Sequence, residues 1–244
     1  MSESMNQKIE KLLRLAERAG TPEEAEAASR MAERLMTKWG IEEAVLRANM
    51  TDDAKPEQIV TKYGPLLSHI LVKARIAVMS AVVRGMGNMQ VYRLTVGKQG
   101  KLAVCGFESD VDRALVLAES LLLQADHAVA YWAKHSPEAR ILKGNQLLYA
   151  KRQFLFGFAG EVQRRLIEMR EEETAKHDDA PGTALVLRDR GKMVEDHFNA
   201  NGLTLRQGRS LKAGLTGGAA GREAGSRANL GGTQIGSGPR GVIG

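Results

Sequence analysis

Between Gln146 and Arg170, Leu148, Leu155, Phe158, Val162, Leu166 and Met169 recur at three-, four- and seven-residue steps. That spacing gathers apolar side chains on one side of a long helix. The rest of the chain has to cover this stripe. Lys151, Arg152, Arg164 and Arg165 fall off it and give the helix a basic flank. Phe154, Phe156 and Phe158 cluster beside Gly157 and Gly160, and each glycine inside a helix costs about 1 kcal/mol relative to alanine. Close approach of a neighbouring element offsets such a cost, as does a ligand or nucleic-acid backbone touching the bare helix surface.

Upstream, Ile9, Leu12, Leu13, Ala16 and Ala19 form an amphipathic helix ended at Gly20. Thr21, Pro22, Glu23 and Glu24 then supply a capping box, a first-turn proline and first-turn acids for a second helix. Ala25, Ala28, Met31, Ala32, Leu35 and Met36 give it a buried face, and Gly40 closes it. A helical hairpin over residues 1–48 is predicted. Its elements Lys8–Ala16, Thr21–Ala28 and Ala32–Ile41 resemble the N-terminal module of hypothetical actinobacterial and phage proteins, family twenty-seven eighty-six of the domain-of-unknown-function series. Residues Arg152–Val162 and Ala220–Gly232 also look like the body and tail of such proteins. The resemblance implies a phage or prophage origin and brings no reaction or site residues with it.

Residues 49–56 read as a polar linker. A body over 60–200 follows. Leu66–Val83 carries a helical pattern that ends near Gly85 and Gly87. Gln90–Val96 and Lys101–Cys105 alternate as the arms of a β-hairpin around Gly97–Gly100. Ser109 and Asp110 cap a helix running to about Lys134, and Pro137 separates it from the central helix. Ala184–Leu187 is expected to add a third strand, with a helix over 192–199 leading into the tail. The expected class is α+β and predominantly helical: long helices packed on a small antiparallel sheet, after a helical hairpin and before a Gly-rich basic tail.

The tail, 201–244, holds 13 of the 26 glycines and is expected to be flexible. A second pattern runs through it: Ala213, Gly217, Gly221 and Gly225 fall every four residues, as do Gly214 and Gly218. In a helix that face would let another backbone come very close. From Gly202 onward six basic residues stand against Glu223 alone, a net of +5 out of the chain's +6.

The lone Cys105 excludes an internal disulfide and a thiolate metal cage, and no apolar run nears the ~20 residues of a membrane span. Without a signal-type N-terminus, the cytoplasm of a bacterial host is the expected location. His69, His127, His135, His177 and His197 show no zinc-binding spacing. The glycine pairs around Gly85, Gly97 and Gly100 lack the context of phosphate loops. Glu108, Asp110 and Asp112 could hold Mg²⁺ if they converged, but acids in a first helical turn also complement its dipole. No catalytic residue, metal ligand or cofactor is therefore nominated.

The remaining signal is basic. Lys151, Arg152, Arg164 and Arg165 on the helix, with Arg206, Arg209, Lys212, Arg222, Arg227 and Arg240 in the tail, are the expected contacts to nucleic-acid phosphates, DNA rather than RNA. A noncatalytic nucleic-acid-binding accessory protein is the leading expectation. Residues 1–48 are its expected contact with a host or phage protein. Its rivals are a protein-interaction or assembly factor, host-takeover or virion-associated, whose tail orders on a partner or in an oligomer through its glycine rows, and a metal-dependent nuclease or nucleotide-modifying enzyme using Glu108, Asp110 and Asp112.

Overall fold

The computed structural model describes residues 57–176, 183–200, 214 and 216–230. In chain order its elements are β1 (Ile59–Tyr63), β2 (Leu67–Ser68), α1 (Val72–Met86), β3 (Gln90–Val96), β4 (Gln99–Phe107), α2 (Glu108–His135), α3 (Pro137–Arg140), α4 (Gly144–Lys176), α5 (Thr183–Ala200) and α6 (Gly218–Ser226). The protein is α+β and predominantly helical, with a small antiparallel sheet, as the patterning predicts. The predicted hairpin over 1–48 and the linker over 49–56 lie outside the described residues.

β4 is the centre of the sheet and pairs antiparallel with the other three strands. β3 takes one edge, in a register running from Gln90–Cys105 to Val96–Gln99. Since β3 spans the same stretch of β4 that β1 and β2 contact, those two must share the opposite edge. β1 pairs Ile59 with Phe107 through Tyr63 with Ala103, and β2 pairs Leu67 with Gly100. Only Gly97 and Lys98 lie between β3 and β4, and Gly97 has φ +59°. A two-residue hairpin turn demands such a positive φ, which glycine adopts without a steric penalty.

Successive residues of β4 face opposite ways. Leu102 and Val104 enter the main core, while Cys105 and Phe107 point to the other face. Against the first face packs α1, from which Val72, Ala74, Ile76, Val78, Met79, Val82 and Val83 are all buried. An apolar face this wide means that α1 is covered on several sides, by the sheet, α2 and α4. The predicted stripe of α4 is its contact side: Leu155, Phe158, Val162 and Leu166 are buried, and the Leu166 side chain lies directly over Gly85.

Three expectations are corrected. Ala184–Leu187 is not a strand but part of α5. A short apolar run does not distinguish helix from strand, and here Leu187, Val194 and Phe198 follow helical spacing, with Val194 and Phe198 packed against the second sheet face. The helix predicted from Leu66 begins at Val72, because Leu67 and Ser68 pair with β4 first. The flexible-tail expectation fails for residues 216–230, where α6 packs on α4. A Cβ at Gly217 would lie 2.5 Å from the Ala150 carbonyl oxygen and one at Gly225 2.9 Å from that of Phe158, with Gly221 closer still to Phe154. Each step of four along α6 is therefore matched by a step of four along α4, so the helices run parallel with their backbones nearly touching. That contact also accounts for Gly157, which faces the Gly218 carbonyl. At Gly160 no atom lies within 4 Å of a built Cβ among the described residues.

Candidate nucleic-acid interface

Of the nominated cations among the described residues, Arg164, Arg165 and Arg222 gather around Glu161, and several are engaged by partners within the chain. Arg164 is ion-paired with both Glu161 and Glu168, and its hydrogen bonds hold the Glu161 carboxyl below the usual range. Arg227 is paired with Glu223. Arg165 donates from Nη1 to the carbonyls of Gly225 (2.9 Å) and Ala228 (2.7 Å). It closes the C-terminal end of α6, where backbone acceptors lack helical partners. Gln124 adds a second clasp, exchanging two 2.8 Å hydrogen bonds with the backbone of Asn229. Arg152 is exposed but lies half a turn of α4 away from the face that meets α6, and Arg222 is exposed on α6 itself. Lys151 is half-buried between those two sides. Arg206, Arg209, Lys212 and Arg240 lie outside the described residues.

The three acids at the start of α2 diverge. Asp112 and Glu108 take Lys62 between them, at 2.7 Å and 3.0 Å, and this raises the lysine pKa. Asp110 turns the other way, to Arg113 and to Arg190 of α5 at 3.0 Å. Arg190 also pairs with Glu57 at 3.1 Å and lies 3.7 Å over the Phe107 ring. Burial pushes the Glu57 carboxyl up, but the hydroxyl and amide of Ser109 and the Arg190 guanidinium outweigh it, so the net shift is downward. These acids bind their own chain's cations. Among the described residues no three His, Cys, Asp or Glu side chains gather as a metal site.

A different surface emerges from the sheet. From Gln58 to Phe107 the chain carries Lys62, Lys73, Arg75, Arg84, Arg93, Lys98 and Lys101 and not one acid. Lys62 is held by α2, and Arg75 is bound by Asp126. The other five have no ion-pair partner among the described residues. Residue-type counts over the whole body hide this segregation, because an excess of acids follows in α2.

On the sheet face away from α1, only the Phe107 and Cys105 end is covered by α5, through Val194 and Phe198. The other half bears Tyr63, Tyr92, Leu94, Val96 and Lys101. Tyr63, Leu94 and Val96 are 51%, 42% and 84% exposed, large values for apolar side chains on a sheet. Tyr63 and Tyr92 flank the fully buried Ala103, which pairs with both. Lys101 Nζ lies 3.9 Å from the Tyr63 ring centre. Burial, then the hydrogen bond with Tyr63, holds the Tyr92 phenol above its ordinary range, and its ring meets Phe198 at 5.8 Å between centroids. None of these residues was nominated from the sequence. The available signal was the alternation of Tyr92, Leu94 and Val96 on one face of β3, apolar where a solvent-facing row would be polar.

No helix among the described residues is long and apolar enough to cross a membrane. No curated protein and no solved structure matches the chain. Residues 4–43 match a family described as a protein of unknown function, DUF2786, so the chain carries that module in its N-terminal part.

Proposed function

We propose that the protein is a noncatalytic nucleic-acid-binding accessory protein that binds chiefly through backbone phosphates. The observation that carries this is the acid-free span from Gln58 to Phe107. Lys73, Arg84, Arg93, Lys98 and Lys101, spread over α1 and both faces of the β3–β4 hairpin, lack ion-pair partners among the described residues, and a phosphate backbone is a polyanion that such cations suit. Arg152 and Arg222 add exposed charge on other sides of the molecule. The resemblance of the N-terminal module adds a phage or prophage origin to the proposal, in which that module contacts a host or phage protein. The glycine rows give less support to a role in assembly, since Gly217, Gly221 and Gly225 already meet α4 within the chain.

Phosphate contacts release counterions, so binding must weaken as salt rises, by a slope set by the number of phosphates neutralised. Fluorescence-anisotropy titrations of the full chain with duplex and single-stranded DNA, at low and at raised salt, test this. Binding with a clear negative salt slope is the expected result. No binding of either form at low salt would overturn the proposal.

A further inference from the structure

The half of the sheet face that α5 leaves open among the described residues suggests which form of nucleic acid is bound. We infer that this half, centred on Tyr63, Tyr92 and Lys101, is a stacking surface for the bases of a single-stranded nucleic acid. The inference rests on the phosphate-binding proposal and deepens it.

Aromatic side chains left exposed on a sheet offer flat π-surfaces, and nucleobases present matching ones only when unpaired. A duplex offers phosphates and groove edges instead. Tyr63 on β1 and Tyr92 on β3 lie either side of β4, with only Ala103 between them. The small Ala103 leaves room for the two rings beside it, with Lys101 over Tyr63 and Phe198 against Tyr92. Leu94 and Val96 extend the same face along β3 toward the turn, giving apolar area for a further base or a sugar.

Charge decides the kind of occupant. A purely apolar peptide would not need Lys101, whose Nζ lies over the face of the Tyr63 ring; a base stacks there as that flexible side chain turns to the phosphate. Lys98 at the turn adds another charge on the same hairpin, while Arg93, paired with Leu102, belongs to the opposite face, and no acid stands on any of the four strands. A stacked base with its phosphate near a lysine satisfies both the rings and the charge. An acidic peptide would satisfy the charge and leave the rings unused.

The test uses the full chain with fluorescein-labelled oligothymidylate and with a duplex of equal length. Stronger binding of the single strand is expected. Tyr63→Ala should weaken single-strand binding about tenfold, the scale of one lost base stack, without altering the salt slope. Tyr63→Phe keeps the ring and should keep the affinity. Lys101→Gln should make the salt slope shallower by about one phosphate contact. Tyr63 is half exposed, so its truncation leaves the core intact, and circular dichroism of each variant verifies the fold. If the intact protein binds but Tyr63→Ala and Lys101→Gln leave single-strand affinity and slope unchanged, the stacking surface is refuted while phosphate binding stands. Equal affinity for single strand and duplex would also refute it. Binding of neither would remove both proposals.

Discussion

Gly157 and Gly160 lie three residues apart on the same helix, yet they predict opposite outcomes. At Gly157 a methyl group meets the Gly218 backbone, whereas at Gly160 it meets nothing within 4 Å among the described residues. Gly160→Ala should therefore raise stability by about 1 kcal/mol, the helical preference of alanine over glycine. Gly157→Ala should lower it by about 1–3 kcal/mol, the usual range for overpacking a tight contact. Gly221→Ala, which drives a methyl toward the Phe154 carbonyl, should behave like Gly157→Ala. Urea unfolding of the three variants checks the signs, and destabilisation by Gly160→Ala would mean that something covers that side of α4.

Glu57 supplies a second residue-level test. Its pKa is lowered in the folded protein, so its ionised form stabilises the fold. The contribution is complete above the ordinary glutamate pKa and is lost as pH falls through the depressed folded value. Thermal unfolding between neutral pH and about pH 3 should show a loss that Glu57→Gln partly removes. An identical pH profile in the variant would contradict the assignment.

Among the elements, α5 and α6 are held by different means. α5 contributes few apolar contacts, chiefly Val194 and Phe198 on the second sheet face. Its other anchor is Arg190, which is largely buried between Glu57, Asp110 and the Phe107 ring. Arg190→Ala takes a cation from the partly buried Glu57 and Asp110, the latter keeping Arg113, and should cost about 1–3 kcal/mol. Hydrogen exchange should then speed up in α5 first, and uniform loss of protection across the sheet and α1 would count against a local anchor. α6 is held by backbone proximity, with Arg165 and the Gln124–Asn229 pair fastening its end.

How far the sequence foretells these elements follows from the kind of force involved. α4, α2 and the β3–β4 hairpin depend on local periodicity and turn chemistry, and all three are legible. α5 is not, because Ala184–Leu187 satisfies both strand and helix patterns until Val194 and Phe198 find the sheet. The four-residue glycine spacing of α6 is visible, but its partner on α4 is a tertiary fact. The candidate site is the least legible part. Arg164 and Arg165 look equivalent in sequence, yet one is neutralised by Glu161 and Glu168 and the other reaches the carbonyls that end α6. Tyr63 and Tyr92 become neighbours only when β1 and β3 take opposite edges of β4.

On the scale of the whole molecule, charge segregates more sharply than the net +6 suggests. The span from Gln58 to Phe107 carries cations and no acid, α4 is close to balanced, and the acids of α2 go largely to partners within the chain, as with Asp112 for Lys62 and Asp126 for Arg75. The most direct test of where nucleic acid binds is ultraviolet cross-linking of the full chain to bromodeoxyuridine-substituted single-stranded DNA, with the adducts mapped by mass spectrometry. The account predicts adducts on the peptides that contain Tyr63 and Tyr92. Adducts confined to residues 201–244, or to the Arg152 and Arg164 side of α4, would contradict it.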